Sequence, residues 1–510
     1  MPIDRAVIVG AGIGGLACAI ELACQGVAVE VVERAGRAGG KMREIEIDGV
    51  TVDSGPTVLT MRWVFDELFA AAGSRLEGRV GLTQLPVLAR HAWNDREYFD
   101  LHADIRTAAD AVGRLSGPEE ARRFLAFCAE ARRIYDTLKQ PFLESQRAGP
   151  LELSSRIGWL KPGQLFGIRP FETYSGALAK SFRDPRLRQL FGRYATYNGS
   201  SPFLAPATLM LIAHVEREGV WSVTGGMQRL ADALVVLAGE LGVTFRYNAV
   251  VRRILVEKGS ASGVVLDSGE RLLADAVVVN ADPTALFAGL FGHAAIPAGA
   301  PGHHDTRSLS AVTWTLQGEG RGFPLLRHNV FFSEDYAAEF EDLFRHRRVP
   351  RDPTTYVCAQ DRLESDHGGD VRPERLFMLV NAPATGDLEA FDAKEIAACE
   401  TRMMSRLARC GLTIARTSET RVITTPADFH RLFPATGGAL YGRVSHGWKA
   451  SFERPGSQTA VPRLYLAGGS THPGAGVPMA ALSGRLAAAR LLSDRHSTRS
   501  SRLKVISGGT

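Results

Sequence analysis

The chain has 510 residues, of which 45% are apolar and 23% are charged, and its formal net charge is +5. This length exceeds what one hydrophobic core supports, so we expect two or three domains in an ordered globular protein. Nucleic-acid binding is not expected, because no basic run is interleaved with aromatic residues and no zinc-ligand spacing occurs. The 6 scattered cysteines form no C-x-x-C pair, which indicates reduced cytoplasmic thiols without disulfides and without a metal site.

Targeting and membrane segments are not expected either. The first apolar segment directly follows Asp4 and Arg5, unlike a signal peptide, and no apolar run reaches the about 20 residues of a membrane helix. Residues 203–213 are predicted as a buried helix, with the alternative of an apolar entrance that dips into a membrane surface. Residues 118–146 are predicted as a basic amphipathic helix on a solvated surface.

The first stretch of the chain predicts a dinucleotide site. A buried parallel strand from Ala6 runs into Gly10, Gly12 and Gly15, which match G-x-G-x-x-G, and an apolar helix follows. In this pattern the first glycine permits a tight turn, the second lets a pyrophosphate contact the backbone, and the third lets the helix pack on the strand. Glu33 follows the next strand, where a carboxylate accepts hydrogen bonds from a ribose diol.

The segment after this acid favours FAD over NAD. A second glycine pair with a basic residue, Gly39-Gly40-Lys41, resembles the flavoprotein extension of the fingerprint, in which the chain returns over the FAD pyrophosphate. The sequence therefore predicts FAD as the cofactor. The alternative is a structural turn that holds no ligand.

The remaining elements predict a cofactor domain that the chain leaves and re-enters. Residues 44–60 alternate and predict a hairpin with its turn at Asp48-Gly49, followed by a break at residues 53–57 where backbone amides approach a flavin, and by a helix at 63–72. Strands between residues 243 and 279 are expected to complete the nucleotide-binding sheet, and strands at 312–316 and 377–380 belong to a second domain. A strand at 464–467 leads into glycines and a small-residue helix, whose N-terminus faces a buried ligand. The tail from Asp494 is expected to fray.

These motifs together resemble the bacterial carotenoid desaturases, the phytoene desaturase family of FAD flavoproteins. The resemblance covers nearly the whole chain and rests on the opening fingerprint and on residues 39–41, 53–57, 184–188, 225–227, 280–283 and 471–476. Residues 55–61, 89–93 and 191–197 are most similar to the hydroxyneurosporene desaturase branch, also called methoxyneurosporene dehydrogenase or 1-hydroxycarotenoid 3,4-desaturase.

The resemblance implies an α/β fold with a discontinuous, Rossmann-type FAD-binding domain, similar to that of glutathione reductase, and an inserted α+β substrate domain. We expect the FAD domain at residues 1–85, 220–290 and 456–495, the substrate domain at 86–219 and 291–455, and a flexible tail at 496–510. An apolar tunnel is expected to lead from a membrane-facing side to the flavin. The protein is expected to be peripheral on the inner face of the cytoplasmic membrane.

The implied reaction introduces a C3–C4 double bond into acyclic 1-hydroxy or 1-methoxy carotenoids, with oxygen or a quinone as the final electron acceptor. The residues expected to bind FAD are Gly10, Gly12, Gly14, Gly15, Glu33, Arg34, Gly40, Lys41, Thr57, Val251, Gly469, Val477, Pro478 and Met479.

Candidates for catalysis and substrate binding are fewer. His472 is a candidate base, with the alternative that it caps its loop by hydrogen bonding. His91 and Asp95 are candidates for recognising the 1-hydroxyl or lining the tunnel mouth, with the alternative of a surface hairpin. Tyr194 and Tyr197 either line the channel or pack.

Four other functions remain open from the sequence. Three share the fold: phytoene desaturation, carotenoid isomerisation and amine oxidation, the last of which often uses an aromatic cage and a cysteine-linked flavin. The C-terminal loop at residues 468–476 has no cysteine. The fourth is a non-enzymatic isoprenoid carrier that resembles the Rab GDP-dissociation inhibitors, which the intact FAD motifs disfavour.

Overall fold

The computed structural model describes residues 3–95, 97–158, 167–362, 373–388 and 391–507. Its strands, in chain order, are β1 Arg5–Val9, β2 Ala28–Val32, β3 Glu44–Ile47, β4 Val50–Asp53, β5 Leu82–Gln84, β6 Val87–Ala92, β7 Tyr98–His102, β8 Trp221–Val223, β9 Thr244–Arg246, β10 Val251–Glu257, β11 Ser260–Leu266, β12 Arg271–Leu273, β13 Ala276–Val279, β14 Ser310–Arg321, β15 His328–Phe331, β16 Thr355–Ala359, β17 Glu374–Ala382, β18 Thr413–Thr424 and β19 Leu464–Leu466.

The α-helices that the structure describes are, in chain order, α1 Ile13–Cys24, α2 Trp63–Ala71, α3 Ile105–Ser116, α4 Pro118–Leu138, α5 Pro150–Ile157, α6 Tyr174–Ser181, α7 Pro185–Gly192, α8 Leu211–Glu218, α9 Gln228–Glu240, α10 Pro283–Phe287, α11 Tyr336–Phe344, α12 Ala393–Arg409, α13 Pro426–Leu432, α14 Ala450–Glu453 and α15 Val477–Ser507. None of these helices is both long and apolar enough to cross a membrane.

A five-stranded parallel sheet forms the centre of the first half of the fold, in the order β19-β13-β1-β2-β9. Successive side chains of β1 point to opposite faces. Ala6 and Ile8 pack in the core cluster that includes α1, α9 and α15. Val7 and Val9 pack on the other side, against residues of β10, β11 and β12. Burial on both faces explains the continuous apolar run that the sequence shows here.

The strands between residues 243 and 279 divide between two sheets, which corrects the sequence prediction. β9 and β13 join the parallel sheet, whereas β10, β11 and β12 pair antiparallel in a separate three-stranded sheet. This small sheet buries one face against the parallel sheet, so its residues alternate between buried and exposed. The hairpin prediction is confirmed for β3 and β4, which are joined by Asp48 (φ 49°) and Gly49 (φ 78°).

A seven-stranded sheet organises the second half, in the order β18-β14-β17-β16-β15-β6-β7. All its neighbours pair antiparallel except β15 and β6, which pair parallel. The predicted strands at 312–316 and 377–380 are confirmed within β14 and β17. Along β17, Leu376, Met378 and Val380 pack beneath α12, and the side chains between them face the opposite side of the sheet. That opposite side borders the cavity described below.

A helical layer covers the cavity side of this sheet. It contains α3, α4, α6, α7 and α8, and most of its buried apolar residues belong to one core cluster. The predicted helix over 118–146 ends at Leu138 and continues as the short π-helix Lys139–Leu143. In the apolar run at 203–213, Ala205, Ala207 and Met210 are buried, as predicted, whereas Phe203 and Leu204 are 37% and 51% exposed.

The two sheets draw on different parts of the chain. Strands of the parallel sheet lie in the three segments assigned to the FAD domain, and strands of the seven-stranded sheet lie in the two segments assigned to the substrate domain. The residue boundaries of these domains stay a prediction. The tail from Asp494 was expected to fray, but in the structure it is helical, because α15 continues to Ser507. Residues 508–510 lie outside the described part.

Candidate active site

One cavity of about 1160 Å³ extends between the two halves of the fold. One end is lined by the glycine turn after β1, by the end of β2 and by residues 39–44, and the other end by the helical layer. The volume exceeds the roughly 300–1,000 Å³ that pockets for one drug-sized ligand occupy. The cavity is therefore large enough to hold a cofactor and a substrate together.

The glycine turn presents the N-terminus of α1 to the cavity. Gly10 has a φ of 99°, which few residues other than glycine adopt. A Cβ atom on Gly15 would lie 2.2 Å from the carbonyl oxygen of Gly10, so only glycine lets the helix approach the strand this closely. Gly12 and Gly14 line the cavity at the positive end of the helix dipole, which suits a pyrophosphate.

The carboxylate of Glu33 is held in place beside this turn. It accepts hydrogen bonds of 2.7 Å from the backbone N–H of Ala11 and of 2.8 Å from that of Ala35. Glu33 is buried and lines the cavity. A carboxylate has four acceptor positions, so lone pairs remain for a ribose diol.

Lys41 supplies a positive charge inside the cavity. Its Nζ donates a 2.5 Å hydrogen bond to the carbonyl oxygen of Leu440 and lies 5.3 Å from the ring centroid of Phe433. Burial lowers the pKa of Lys41 to about 8, against the opposing effect of Asp282. Arg34, in contrast, is exposed and donates a 3.3 Å hydrogen bond to the carbonyl oxygen of Arg431.

The C-terminal loop closes the same end of the cavity with the start of α15. Of the residues expected to bind FAD, all except Gly15 line this one cavity: Gly10, Gly12, Gly14, Glu33, Arg34, Gly40, Lys41, Thr57, Val251, Gly469, Val477, Pro478 and Met479. The first and the last of these residues are more than 400 positions apart in the chain, and the fold brings them together. Gly15 does not line the cavity; it lets α1 pack closely on the glycine turn. Direct contact of each residue with FAD stays a prediction.

The other end of the cavity is apolar. Its wall comes from the helical layer and from the segments next to it, and includes Leu138, Phe142, Leu143, Leu153, Ile168, Leu209, Leu211, Ile212 and Val215. Such a wall binds a hydrocarbon by removing its surface from water. We call this part of the cavity the apolar arm.

His472 lies beside the cavity but is not among the residues that line it. Its Nε2 is 2.9 Å from the carbonyl oxygens of both Phe142 and Ser145. Because carbonyl oxygens only accept, Nε2 must carry the proton. Burial lowers the pKa of His472 to about 4, so the ring is neutral near pH 7. This geometry favours the alternative that His472 caps its loop over the role of a base.

The burial of His91 contradicts the alternative of a surface hairpin. It lies on β6, between β7 and β15, and is only 3% exposed. Its ring stacks on that of Phe332 with 5.9 Å between centroids, and burial lowers its pKa to about 3. Neither His91 nor the exposed Asp95 lines the cavity.

The two tyrosine candidates differ in their position relative to the cavity. Tyr197 lines the cavity, whereas Tyr194 does not and packs between Phe191 and Tyr197, with ring centroids 5.8 and 5.4 Å away. The sequence analysis missed two cavity-lining neighbours, Arg193 and Glu216. Neither residue stood out in the sequence, because Arg193 follows Arg183, Arg186 and Arg188, and Glu216 precedes Arg217 and Glu218.

A network of hydrogen-bonded polar side chains borders the cavity near the loop after β4. The hydroxyls of Thr57 and Tyr356 are 2.7 Å apart, and Nδ1 of His328 lies 2.7 Å from the same Tyr356 hydroxyl. The guanidinium carbon of Arg193 is 5.6 Å from the centroid of the Tyr356 ring. This network, also missed by the sequence analysis, connects the predicted flavin loop with the apolar arm.

Comparison with known proteins agrees with this architecture. A family model described as flavin containing amine oxidoreductase matches residues 13–492. A hydroxyneurosporene desaturase of Rubrivivax gelatinosus is 53% identical, with 99% of this chain and 96% of that protein covered. A second, of Cereibacter sphaeroides, is 43% identical over 96% of this chain and 98% of that protein. This chain belongs to the carotenoid desaturases of the flavin-containing amine oxidoreductase family.

Carotenoid desaturases of this family are FAD-dependent oxidoreductases, and so is this chain. The predicted α/β FAD-binding fold is confirmed: a solved structure described as an oxidoreductase from Methanosarcina mazei aligns with a TM-score of 0.57 over 94% of this chain and 99% of that one, at 16% identity. The glycine turn, the Glu33 carboxylate and the Lys41 ammonium fit the pyrophosphate and ribose of FAD at this end of the cavity.

Proposed function

We propose that this carotenoid desaturase introduces a C3–C4 double bond into acyclic carotenoids that carry a 1-hydroxy or 1-methoxy group. The observation that carries the proposal is the continuity of the cavity, which joins a dinucleotide-binding end to an apolar arm. The 53% and 43% identity to proteins named hydroxyneurosporene desaturase supports the choice of substrate.

The chemistry removes two hydrogens from a saturated carbon–carbon bond. When bound, FAD would supply the two-electron acceptor: one hydrogen would leave as a hydride, the other as a proton to a base or to the flavin itself, and oxygen or a quinone would take up the electrons. The apolar arm binds the polyene and excludes water. Phe377, Leu379 and Asn381 of β17 line one wall of the cavity and hold the chain in position. Because they lie on a paired strand, that wall is rigid, as orientation of the reacting bond requires.

The same proposal includes a membrane surface as the source of the substrate. Exposed apolar side chains cluster beside the apolar arm: Phe171 and Trp448 are 71% and 37% exposed, and their rings meet edge to face with 5.4 Å between centroids. Leu204, which is 51% exposed, is joined to this pair by a 2.9 Å backbone hydrogen bond from Gly447. Trp448 also lines the cavity. We call Phe171, Leu204 and Trp448 the aromatic patch.

A lipid bilayer is the occupant that this patch fits. A carotenoid dissolves in the bilayer and not in water, so the entrance to its binding site must reach lipid. Tryptophan and phenylalanine are favoured at the bilayer interface, and the ammonium of Lys449 next to Trp448 suits anionic headgroups. We place the protein on the inner face of the cytoplasmic membrane.

The surface is tested by flotation with anionic liposomes. The double variant F171S/W448S is expected to lose flotation and to retain FAD, whereas F287S is expected to float like the wild type. Phe287 is a matched control, since it is 47% exposed and does not line the cavity. Equal flotation of all three proteins would contradict the membrane surface.

The reaction is tested by anaerobic incubation of the FAD-loaded protein in liposomes with 1-hydroxyneurosporene and, separately, with phytoene. We expect bleaching of the flavin absorption and a red shift of the polyene spectrum with the hydroxylated substrate only. Turnover of phytoene instead would show a phytoene desaturase. A changed polyene spectrum with the flavin still oxidised would show an isomerase. An unchanged polyene spectrum with both substrates would contradict desaturation.

A further inference from the structure

We propose that Arg193, Tyr197 and Glu216 form the subsite that recognises the oxygen at C1 of the substrate, and we call these residues the C1 subsite. The inference rests on the proposed function, and it assigns the choice between hydroxylated and plain carotenoids to residues of this chain. All three residues line the cavity. His91 and Asp95, the candidates from the sequence, do not.

The C1 subsite is a connected polar cluster, and its Glu216 directly follows Val215 of the apolar arm. Nη1 of Arg193 donates a 2.9 Å hydrogen bond to the hydroxyl of Tyr197, and its guanidinium carbon lies 5.2 Å from the centroid of that ring. Glu216, on α8, is only 6% exposed. Burial raises the pKa of Glu216, and the hydroxyls of Tyr194 and Tyr197 and the charge of Arg193 oppose this shift.

Such a cluster is costly in a site built for a hydrocarbon alone. Buried charges lose their hydration, and removing them in favour of apolar residues is often neutral or stabilising. A wall of leucine and isoleucine would bind a plain carotene better than one that contains Arg193 and Glu216. Their presence is explained when the ligand carries a polar group at this point.

The position of the cluster matches the geometry of the substrate. The oxygen on C1 is three bonds from C3, so it lies within about 4 Å of the bond that is oxidised. The subsite that binds it must therefore border the cofactor. Arg193 lies near the predicted flavin loop: its guanidinium carbon is 5.6 Å from the ring centroid of Tyr356, whose hydroxyl is 2.7 Å from that of Thr57.

The chemical types of the three side chains assign separate tasks. The guanidinium of Arg193 can only donate, so it binds a hydroxyl oxygen and a methoxy oxygen alike. The carboxylate of Glu216 can accept a hydrogen bond from a hydroxyl but not from a methoxy group. Arg193 and Tyr197 thus select for an oxygen at C1, and Glu216 distinguishes the hydroxyl from its methyl ether.

The test compares kcat/KM for three carotenoids with the same chain: the 1-hydroxy compound, its 1-methoxy ether and the hydrocarbon without oxygen. Y197F is expected to lower kcat/KM for the two oxygenated substrates about tenfold and to change that for the hydrocarbon much less, since only the oxygenated substrates lose a polar partner. E216Q is expected to reduce the preference for hydroxy over methoxy. The double variant R193Q/E216Q removes both charges together, so neither is left buried alone.

The matched control is Y174F. The Tyr174 hydroxyl has no hydrogen-bond partner among the described residues, and Tyr174 does not line the cavity. We expect its substrate preferences to equal those of the wild type. FAD content and thermal midpoint are measured for every variant, so that misfolding is recognised.

Two outcomes would overturn the C1 subsite. One is an equal loss for all three substrates in Y197F and R193Q/E216Q, which a merely structural cluster would produce. The other is wild-type discrimination in all the variants. A wild-type enzyme that desaturates none of the three carotenoids would instead refute the proposed function.

Discussion

Nε2 of His472 lies 2.9 Å from the carbonyl oxygen of Phe142. This contact joins the C-terminal loop, beside the predicted cofactor end of the cavity, to the π-helix at the base of the helical layer. His472 thereby connects two parts of the chain that must stay aligned for a substrate in the apolar arm to meet the cofactor. The first prediction follows from this contact.

We expect H472A to lower stability while turnover per bound FAD stays within about threefold of the wild type. The substitution removes the N–H that donates to two part-buried carbonyl groups, which costs about 1–3 kcal/mol. Thermal unfolding, FAD content and the pH profile of kcat are the measurements. A loss of turnover by 10²-fold or more, as expected for a general base, with FAD content and the thermal midpoint intact, would instead establish His472 as the base.

The second prediction concerns FAD affinity and Glu33. In E33Q, an amide replaces a carboxylate that accepts hydrogen bonds from the backbone N–H groups of Ala11 and Ala35. One of those groups must then face an NH₂ donor. Hydrogen bonds to charged groups contribute about 1.5–3 kcal/mol, so we expect the dissociation constant of FAD to rise about 10- to 100-fold. Titration of the apoprotein with FAD, followed by flavin fluorescence, measures it.

The control for this prediction is E46Q. Glu46 is an exposed carboxylate on the neighbouring hairpin and does not line the cavity. It is expected to bind FAD as the wild type does. A similar loss in E46Q and E33Q would show that net charge, and not the Glu33 contact, sets the affinity.

The third prediction is a pH dependence of FAD binding that comes from Lys41. Its pKa of about 8 is lowered by burial, so the free protein loses this charge as the pH rises through 8. The FAD pyrophosphate favours the charged form and raises the pKa in the complex. Binding therefore takes up a proton above pH 8, and the dissociation constant rises with pH, by at most about tenfold per pH unit.

K41M is expected to bind FAD more weakly than the wild type at pH 7. Its dissociation constant for FAD is expected not to rise between pH 7.5 and pH 9.5. Isothermal titration calorimetry in buffers of different ionisation enthalpy measures the proton uptake directly. If K41M kept the wild-type slope, another group would be responsible for the pH dependence.

The fourth prediction concerns stability and Glu339 on α11. Its carboxylate is buried and accepts hydrogen bonds of 2.7 Å from Ser333 and 2.6 Å from Thr354. Burial raises its pKa to about 7, above the value of about 4.3 in an unfolded chain. The folded state therefore holds the proton more tightly. The stabilising contribution is complete below about pH 4.3 and is lost as the pH rises through about 7.

E339Q mimics the protonated form at every pH. We expect its free energy of unfolding, relative to the wild type, to increase by on the order of 3 kcal/mol between pH 4.5 and pH 8. Urea unfolding at several pH values measures this difference, and E341Q, an exposed position on the same helix, is the control. Parallel pH curves for E339Q and the wild type would contradict the raised pKa.

The cofactor half of the molecule was predictable from local sequence patterns. The strand, the glycines, the helix and Glu33 lie within about 30 consecutive residues, and each depends on local geometry: a turn with a positive φ at Gly10, a close approach at Gly15, and the alternation of β1. The β3–β4 hairpin was predictable for the same reason, since its turn residues Asp48 and Gly49 adopt their conformation locally. Family resemblance added the cofactor and the class of reaction.

The polar residues that reach the cavity could be identified only from the folded chain. His91 lies in a segment that reads as a surface hairpin, and it is buried because β15 pairs with β6 from more than 200 positions away. Arg193 and Glu216 each look like a surface charge on a helix, but both line the cavity, Arg193 from the 3-10 helix Arg193–Asn198 that follows α7 and Glu216 from α8. Side-chain periodicity reports which face of an element is apolar, but not which distant element covers that face, and that choice decides where the polar residues of this site lie.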